Sequence, residues 1–217
     1  MRPGRQRLVA DLLPHLSITL PGDGPLDPRT LFDGPVRDVW LEVGFGAGEH
    51  LAAQARANPD VGIIGCEPYI AGIAALLGTL AEAERARVRV FTDDARLLIE
   101  ALADASIGRA FVLFPDPWPK TRHHKRRFID GATVAALARV LADGAELRLA
   151  SDHPEYVRWM LDHVRRDGAF EWLARRPGDW RARPDDWPET RYEAKARAAG
   201  AAPAFLRFSR RSRCRDR

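Results

Sequence analysis

The sequence predicts an α/β fold built on a parallel, doubly wound sheet, and three observations lead there. Short apolar runs alternate with segments of helical periodicity along most of the 217 residues. A glycine-rich turn, Gly44-Phe45-Gly46-Ala47-Gly48, directly follows the first of these runs. An acidic residue closes or follows each of five successive apolar runs. Right-handed crossovers would bring all five strand ends to one edge of the sheet, the edge where ligands bind in open α/β folds.

After a Pro/Gly-rich lead-in, LPGDGPLDPRTLFDGP, the elements follow in order. DVWLEVG is a buried strand ending at glycine, and GEHLAAQARAN is a helix that stops near Asn58-Pro59. VGIIGCE is a second strand and IAGIAALLGTLAEAE a helix. RVRVFT is the third strand and ARLLIEALADA the helix after it. RAFVLF is almost wholly apolar, as a central parallel strand should be. IDGATVAALARVLADG is expected to be a helix with glycine at its end. AELRLAS is the fifth strand, PEYVRWMLDHVRRDG a helix and AFEWLA a sixth strand. A Pro/Trp/Arg-rich loop, residues 175–189, leads through TRYEAKARAAG to a last strand, AFLRFSR.

The strand ends suggest a ligand. Gly44 and Gly46 allow the backbone to approach a bound molecule closely. The dinucleotide fingerprint fails, because Glu49 stands where its third glycine belongs. Glu42, just before the turn, would repel a pyrophosphate. A cofactor with an ammonium group and no phosphate suits it better, and S-adenosylmethionine is such a cofactor. Glu67 ends the second strand, where a carboxylate commonly accepts from ribose hydroxyls. Asp94 can accept from an adenine amino group, whereas Asp93 is read as a helix cap or a solvated residue.

Composition bounds the rest. With 46% hydrophobic and 29% charged residues this is a globular chain without a run of about 18 apolar residues. The N-terminus lacks the long apolar stretch of a signal peptide. Cys66 and Cys214 lie far apart, which favours a reducing cytosol over a disulfide framework. Residues 1–7, 120–127 and 207–217 carry +3, +5 and +5, leaving −9 for the remainder of a chain whose net charge is +4. Positive charge concentrated in patches is the footprint of a nucleic-acid binder, although basic chain ends are also commonly just solvated.

The internal patch belongs to FPDPWPKTRHHKRR, Phe114 to Arg127. Pro115 and Pro117 restrict the backbone around Asp116 and would fix the direction of its carboxylate. Lys120, Arg122, Lys125, Arg126 and Arg127 would meet phosphates and make binding salt-sensitive. Trp118 either stacks on a base or packs the turn. His123 and His124 are read as solvent-facing or supporting groups, without partners spaced for a metal.

Together, LEVGFGAG, GCEP, DDA, FPDPWPKTRHHKRR, ASDHPEY and TRYEAKA make the chain resemble the bacterial tRNA (guanine-N7-)-methyltransferases. The matching pieces keep the family's order from about residue 40 to residue 208. The resemblance implies a Rossmann-like methyltransferase sheet, mostly parallel with an antiparallel last strand. It also implies S-adenosylmethionine as cofactor, no metal, and methylation of a guanosine at position 46 in the variable loop of tRNA. Glu42, Gly44, Gly46, Glu67 and Asp94 would contact the cofactor. Asp116 would lie where cofactor and substrate meet and act as the active-site residue. Lys120, Asp152 and the stretch Thr190, Arg191, Tyr192 and Glu193 would contact the tRNA.

There are departures from the family pattern. Many relatives read Thr-Lys-Phe-Glu where this chain has Thr190-Arg191-Tyr192-Glu193, and the segment after Glu193 differs more. GCEPYIAG replaces the usual Gly-Ile-Glu-x-His form but keeps Glu67. The expected organisation is a basic, partly flexible segment over residues 1–35, a methyltransferase domain over 36–209 and a basic tail over 210–217. A cytoplasmic location is expected, with no membrane partner, as a monomer or a homodimer. The rivals are a methyltransferase for exocyclic amino groups, whose Pro-Pro turn PDPW only distantly echoes, and an RNA-binding protein that has lost catalysis. A nicotinamide oxidoreductase fits poorly because of Glu42 and Glu49.

Overall fold

A computed structural model describes residues 2–213, so Cys214 and the end of the arginine tail lie outside the described residues. The chain divides into two compact units, Met1–Ile107 and Gly108–Arg217. Its seven strands make a mixed sheet of the expected α/β class.

In the first unit the strand order is β3-β2-β1. The strands β1 (Asp38–Val43), β2 (Val61–Cys66) and β3 (Val88–Phe91) are all parallel. β2 is buried along its whole length, which its unbroken apolar run requires. Cys66 closes that strand fully covered, and burial pushes its thiol pKa up, so it is chemically quiet.

The N-terminal segment before that lead-in forms a helix not expected from the sequence, α1 (Pro3–Leu16), with proline at its first turn. It packs on α3 (Ile70–Thr79). Beyond it, the Ile18 amide donates to the Val90 carbonyl at 2.9 Å, which covers the open edge of β3. α2 (Glu49–Ala57) starts at the last glycine of the turn and ends at Asn58, as expected.

The helix expected over IAGIAALLGTLAEAE breaks in two. Leu80 and Ala81 are extended, and a short turn, α4 (Glu82–Arg85), follows. The break buries Leu80 and lets the Glu84 carboxylate accept from Arg56 at 2.8 Å and from the Ala81 amide at 2.9 Å. α5 (Ala95–Ala101) closes the unit, shorter than its apolar pattern suggested. Leu102 leaves the helix to form a bridge with Leu26.

The second unit carries β4 (Ile107–Leu113), β5 (Leu141–Ser151), β6 (Phe170–Trp172) and β7 (Ala204–Arg210), in the order β4-β5-β7-β6. β7 runs antiparallel to both β5 and β6.

α6 (Gly131–Val140) ends before Gly144, so the expected glycine cap is not there. Gly144 instead sits within β5 at φ 80°. The terminal carbonyls of α6 are taken by arginines. Arg213 donates to Ala138, Arg139 and Leu141 at 3.1, 2.7 and 2.8 Å, and Arg210 to Ala138 at 2.8 Å. Cationic donors at a helix C-terminus also oppose its dipole.

α7 (Pro154–Asp167) has one buried stripe, including Tyr156, Met160 and Val164, and stops at Gly168 in the left-handed region. Residues 175–189 are not wholly loop, since they contain α8 (Gly178–Arg181). Asp186 ties this segment to the sheet by pairing with buried Arg148 at 2.8 Å. α9 (Arg191–Ala198) precedes β7.

One close approach inside the first unit is a direct test of the packing. A Cβ on Gly72 would stand 2.2 Å from the Gly46 carbonyl oxygen, a backbone atom that cannot swing aside. Gly72→Ala should therefore destabilise the protein by about 1–3 kcal/mol, measured by urea denaturation. A midpoint equal to that of the wild type would show that the turn is free to move.

Candidate active site

In the first unit, sequence and backbone build a candidate site at the glycine turn. Gly44, Gly46 and Gly48 have φ of 71°, 57° and 79°, the region that glycine enters without strain. A Cβ added at Gly44 would meet open space, so there the need is conformational.

Glu67, 5% exposed, fixes this turn. One carboxylate oxygen accepts from the Gly46 amide at 2.9 Å and the other from the Tyr69 amide at 3.0 Å. The residue expected to meet a ribose is thus also the clamp of the loop that would hold the rest of the cofactor. Each oxygen has a second lone pair left over from these bonds.

Glu42 is likewise engaged within the protein. It is buried and lies 2.7 Å from Nδ1 of buried His50 on α2. Beyond His50 come Gln54, 3.4 Å from its Nε2, and Asn58. No spacing rule in the sequence flags His50 as a partner of Glu42, because the pairing crosses from a strand to the helix after it.

Asp94, not Asp93, is the cap of α5. Its side chain accepts from the Arg96 amide at 3.0 Å, while Asp93 accepts from the Asp94 amide at 2.7 Å. Asp94 also pairs with the Arg96 guanidinium at 3.2 Å and remains about half exposed. As a donor set, Glu42, Glu67 and Asp94 offer acceptors suited to an ammonium, ribose hydroxyls and an adenine amine, and nothing suited to a phosphate.

The second unit carries its own candidate, the PDPW turn. Phe114 and Trp118, on either side of it, have φ of 51° and 41°. Positive φ at bulky residues is strained and persists only where the surroundings impose it. Here the Phe114 amide donates to the Ala150 carbonyl at 2.8 Å, and the Pro117 carbonyl accepts from Arg127 Nε at 2.9 Å. Between these two anchors Asp116 is exposed.

Arg127 corrects the expectation of a phosphate contact. It is 0% exposed, with its guanidinium 5.1 Å from the Tyr156 ring and 4.7 Å from that of Trp159. It donates to Glu155 at 2.9 Å. A buried guanidinium needs acceptors and aromatic faces, and α7 supplies both.

The remainder of the cationic run, Thr121–Arg126, is a 3-10 turn. Lys120, Arg122, Lys125 and Arg126 are exposed. Arg126 lies over the Trp118 ring at 4.9 Å, and His123 meets the same ring edge-on. Trp118 therefore packs the turn, as one of its two readings held. His124 stands against Trp159 and 3.5 Å from Glu155, in a supporting position.

Asp152 is exposed at the end of β5. Thr190 caps α9, accepting from the Glu193 amide at 3.2 Å. Glu193 is 1% exposed and held by Arg183 at 3.2 Å and Arg197 at 2.9 Å. Of this stretch Arg191 and Tyr192 are the exposed residues. Among the described residues no group of three or more His, Cys, Asp or Glu is placed to hold a metal ion.

Comparison with known proteins bears on the family and the fold. A family model described as "Putative methyltransferase" matches residues 36–205. A tRNA (guanine-N(7)-)-methyltransferase of Rhodospirillum rubrum is 52% identical over 219 residues, spanning 100% of this chain and 86% of that protein. One of Paramagnetospirillum magneticum is 54% identical over 208 residues, spanning 95% and 87%. Among solved structures, the 16S rRNA methyltransferase KamB matches with a TM-score of 0.57 at 16% identity, covering 85% of this chain and 91% of that one. At that identity the likeness concerns the fold.

The hydrogen bond from Arg127 holds the Glu155 carboxylate below its ordinary value of 4.5, with the charges of Arg127 and His124 helping. A depressed carboxylate contributes its stability above the unfolded pKa and loses it as pH falls through the folded one. Glu155→Gln should therefore lose less of its urea resistance than the wild type on going from about pH 5 to about pH 3. Parallel losses in both proteins would mean that the pair is energetically silent.

Proposed function

The chain belongs to the tRNA (guanine-N7-)-methyltransferase family, and on that footing we propose that it transfers a methyl group from S-adenosylmethionine to N7 of the guanosine at position 46 in the variable loop of tRNA. The observation that carries the reading is Asp116. Its carboxylate stands exposed on a strained turn anchored at both ends, beside the exposed cations Lys120, Arg122, Lys125 and Arg126.

Glu42, Glu67 and Asp94, with the turn from Gly44 to Gly48, would hold the cofactor by its ammonium, ribose and adenine. When bound, the cofactor supplies a methyl group on a sulfonium; as N7 forms its bond to that carbon, the carbon–sulfur bond breaks and its electron pair stays on sulfur. Guanine N7 has a free lone pair, so no strong base is needed before attack. What remains for the protein is alignment and electrostatics.

Asp116 would stabilise positive charge as it develops on the purine and accept from guanine donors. The backbone that presents it is fixed in advance, because Arg127 and the Ala150 carbonyl hold the turn. Lys120 and the neighbouring exposed cations would position the RNA backbone, with Asp152 and the exposed pair Arg191 and Tyr192 as further contacts. Thr190 and Glu193 would act by shaping α9, given how fully they are engaged there. Residues 36–209 would form the methyltransferase body, working in the cytoplasm. Exposed Arg2, Arg5 and Arg7 on α1 add a second basic surface for the RNA.

The test is methyl transfer from labelled S-adenosylmethionine to an unmodified tRNA transcript, with the product nucleoside identified. The wild type should yield 7-methylguanosine. Asp116→Ala should lower kcat by about 10²–10³-fold with cofactor affinity kept. A methylated exocyclic amine would move the assignment to the amino-group enzymes, and tight tRNA binding without transfer would make the chain a binder.

A further inference from the structure

The second unit contains a groove of about 660 Å³ walled by α7, β6, α8 and the turn leading into β7. We propose that this groove is a pocket for an unpaired nucleotide that flanks the methylated guanosine in the RNA. The inference rests on the tRNA reading above and adds a subsite to it.

Its volume is in the range of sites that enclose a small molecule, about 300–1,000 Å³. Its lining combines two indoles, Trp172 and Trp180, and the guanidinium groups of Arg158, Arg181 and Arg197 with apolar side chains such as Val157, Leu161 and Pro203. Asp152 forms its edge at the end of β5. Asp116 is not among its lining residues, so the reacting base belongs elsewhere.

Two observations specify the ligand chemistry. The Trp172 and Trp180 rings both line the groove, and an aromatic face takes a stacked nucleobase whatever its sequence. Arg158 is exposed, and the Arg181 guanidinium lies over the Trp180 ring at 4.8 Å. Exposed arginines beside an aromatic platform match a phosphate joined to a base.

An acidic peptide would use the arginines but leave the two aromatic faces unused, and an apolar ligand would leave Arg158 and Arg181 unused. A nucleotide uses both. Unpaired RNA loops present splayed bases that are captured on aromatic side chains in this way.

The test uses the full chain and tRNA transcripts carrying 4-thiouridine at the uridines beside the acceptor guanosine. After irradiation, the cross-linked peptide should contain Trp172 or Trp180. Trp180→Ala and Arg158→Gln should each weaken tRNA binding about tenfold, raising KM while leaving kcat at saturating tRNA near the wild-type value. Trp172→Phe keeps an aromatic face and should weaken binding by a smaller factor.

The cross-link requires no substitution, and Arg158 is exposed, so neither arm depends on a variant that fails to fold. Adducts confined to other peptides, with wild-type tRNA affinity in the variants and 7-methylguanosine still formed, would overturn the pocket alone. A wild-type protein that forms no 7-methylguanosine would overturn the reading on which the pocket rests.

Discussion

The buried guanidinium of Arg127 is the constraint on which the PDPW turn and α7 of the second unit depend. A cation removed from water is tolerable only when acceptors and polarisable faces surround it. Tyr156, Trp159 and Glu155, all on α7, provide that surrounding, and the Pro117 carbonyl completes it. The same group therefore packs α7 and anchors the turn that carries Asp116. Strain at Phe114 and Trp118 is the counterpart of this anchoring, since a relaxed turn would not keep the carboxylate in one direction.

The acidic residues at the strand ends follow a related logic. Each is engaged close to home: Glu42 with His50, Glu67 with two backbone amides, and Asp94 with the first turn of α5. These partners fix side-chain positions before any ligand arrives, which lowers the ordering cost of binding. Glu193 goes furthest in this direction, being almost wholly covered between two arginines. Its contribution is to the shape of the segment that presents Arg191 and Tyr192.

Positive charge is divided by role. The tail arginines that are described are engaged internally. Arg207 pairs with Glu146 at 2.6 Å, Arg211 donates to the Phe170 carbonyl, and Arg210 and Arg213 close the end of α6. Besides exposed arginines such as Arg158 and Arg191, cations facing solvent cluster at the start of α1 and in the 3-10 turn after Lys120. A long-range electrostatic attraction for RNA would arise from these two surfaces.

The sequence by itself determined the alternation of strands and helices, the glycine turn, the acidic strand ends and the rigid PDPW segment. Each of these is written in local composition: apolar period, glycine where φ is positive, proline where φ is fixed. It could not determine which charges are exposed. Arg126 and Arg127 are neighbours in one basic run, yet one faces solvent and the other is sealed beneath α7. Gly144 is an ordinary helix-stop signal, overridden because arginines some 70 residues away reach the α6 carbonyls first. His50, Tyr156 and Trp159 gain their roles only from partners on other elements. Those decisions belong to tertiary structure because the desolvation of a charge, and the donors and acceptors that offset it, depend on segments distant in the chain.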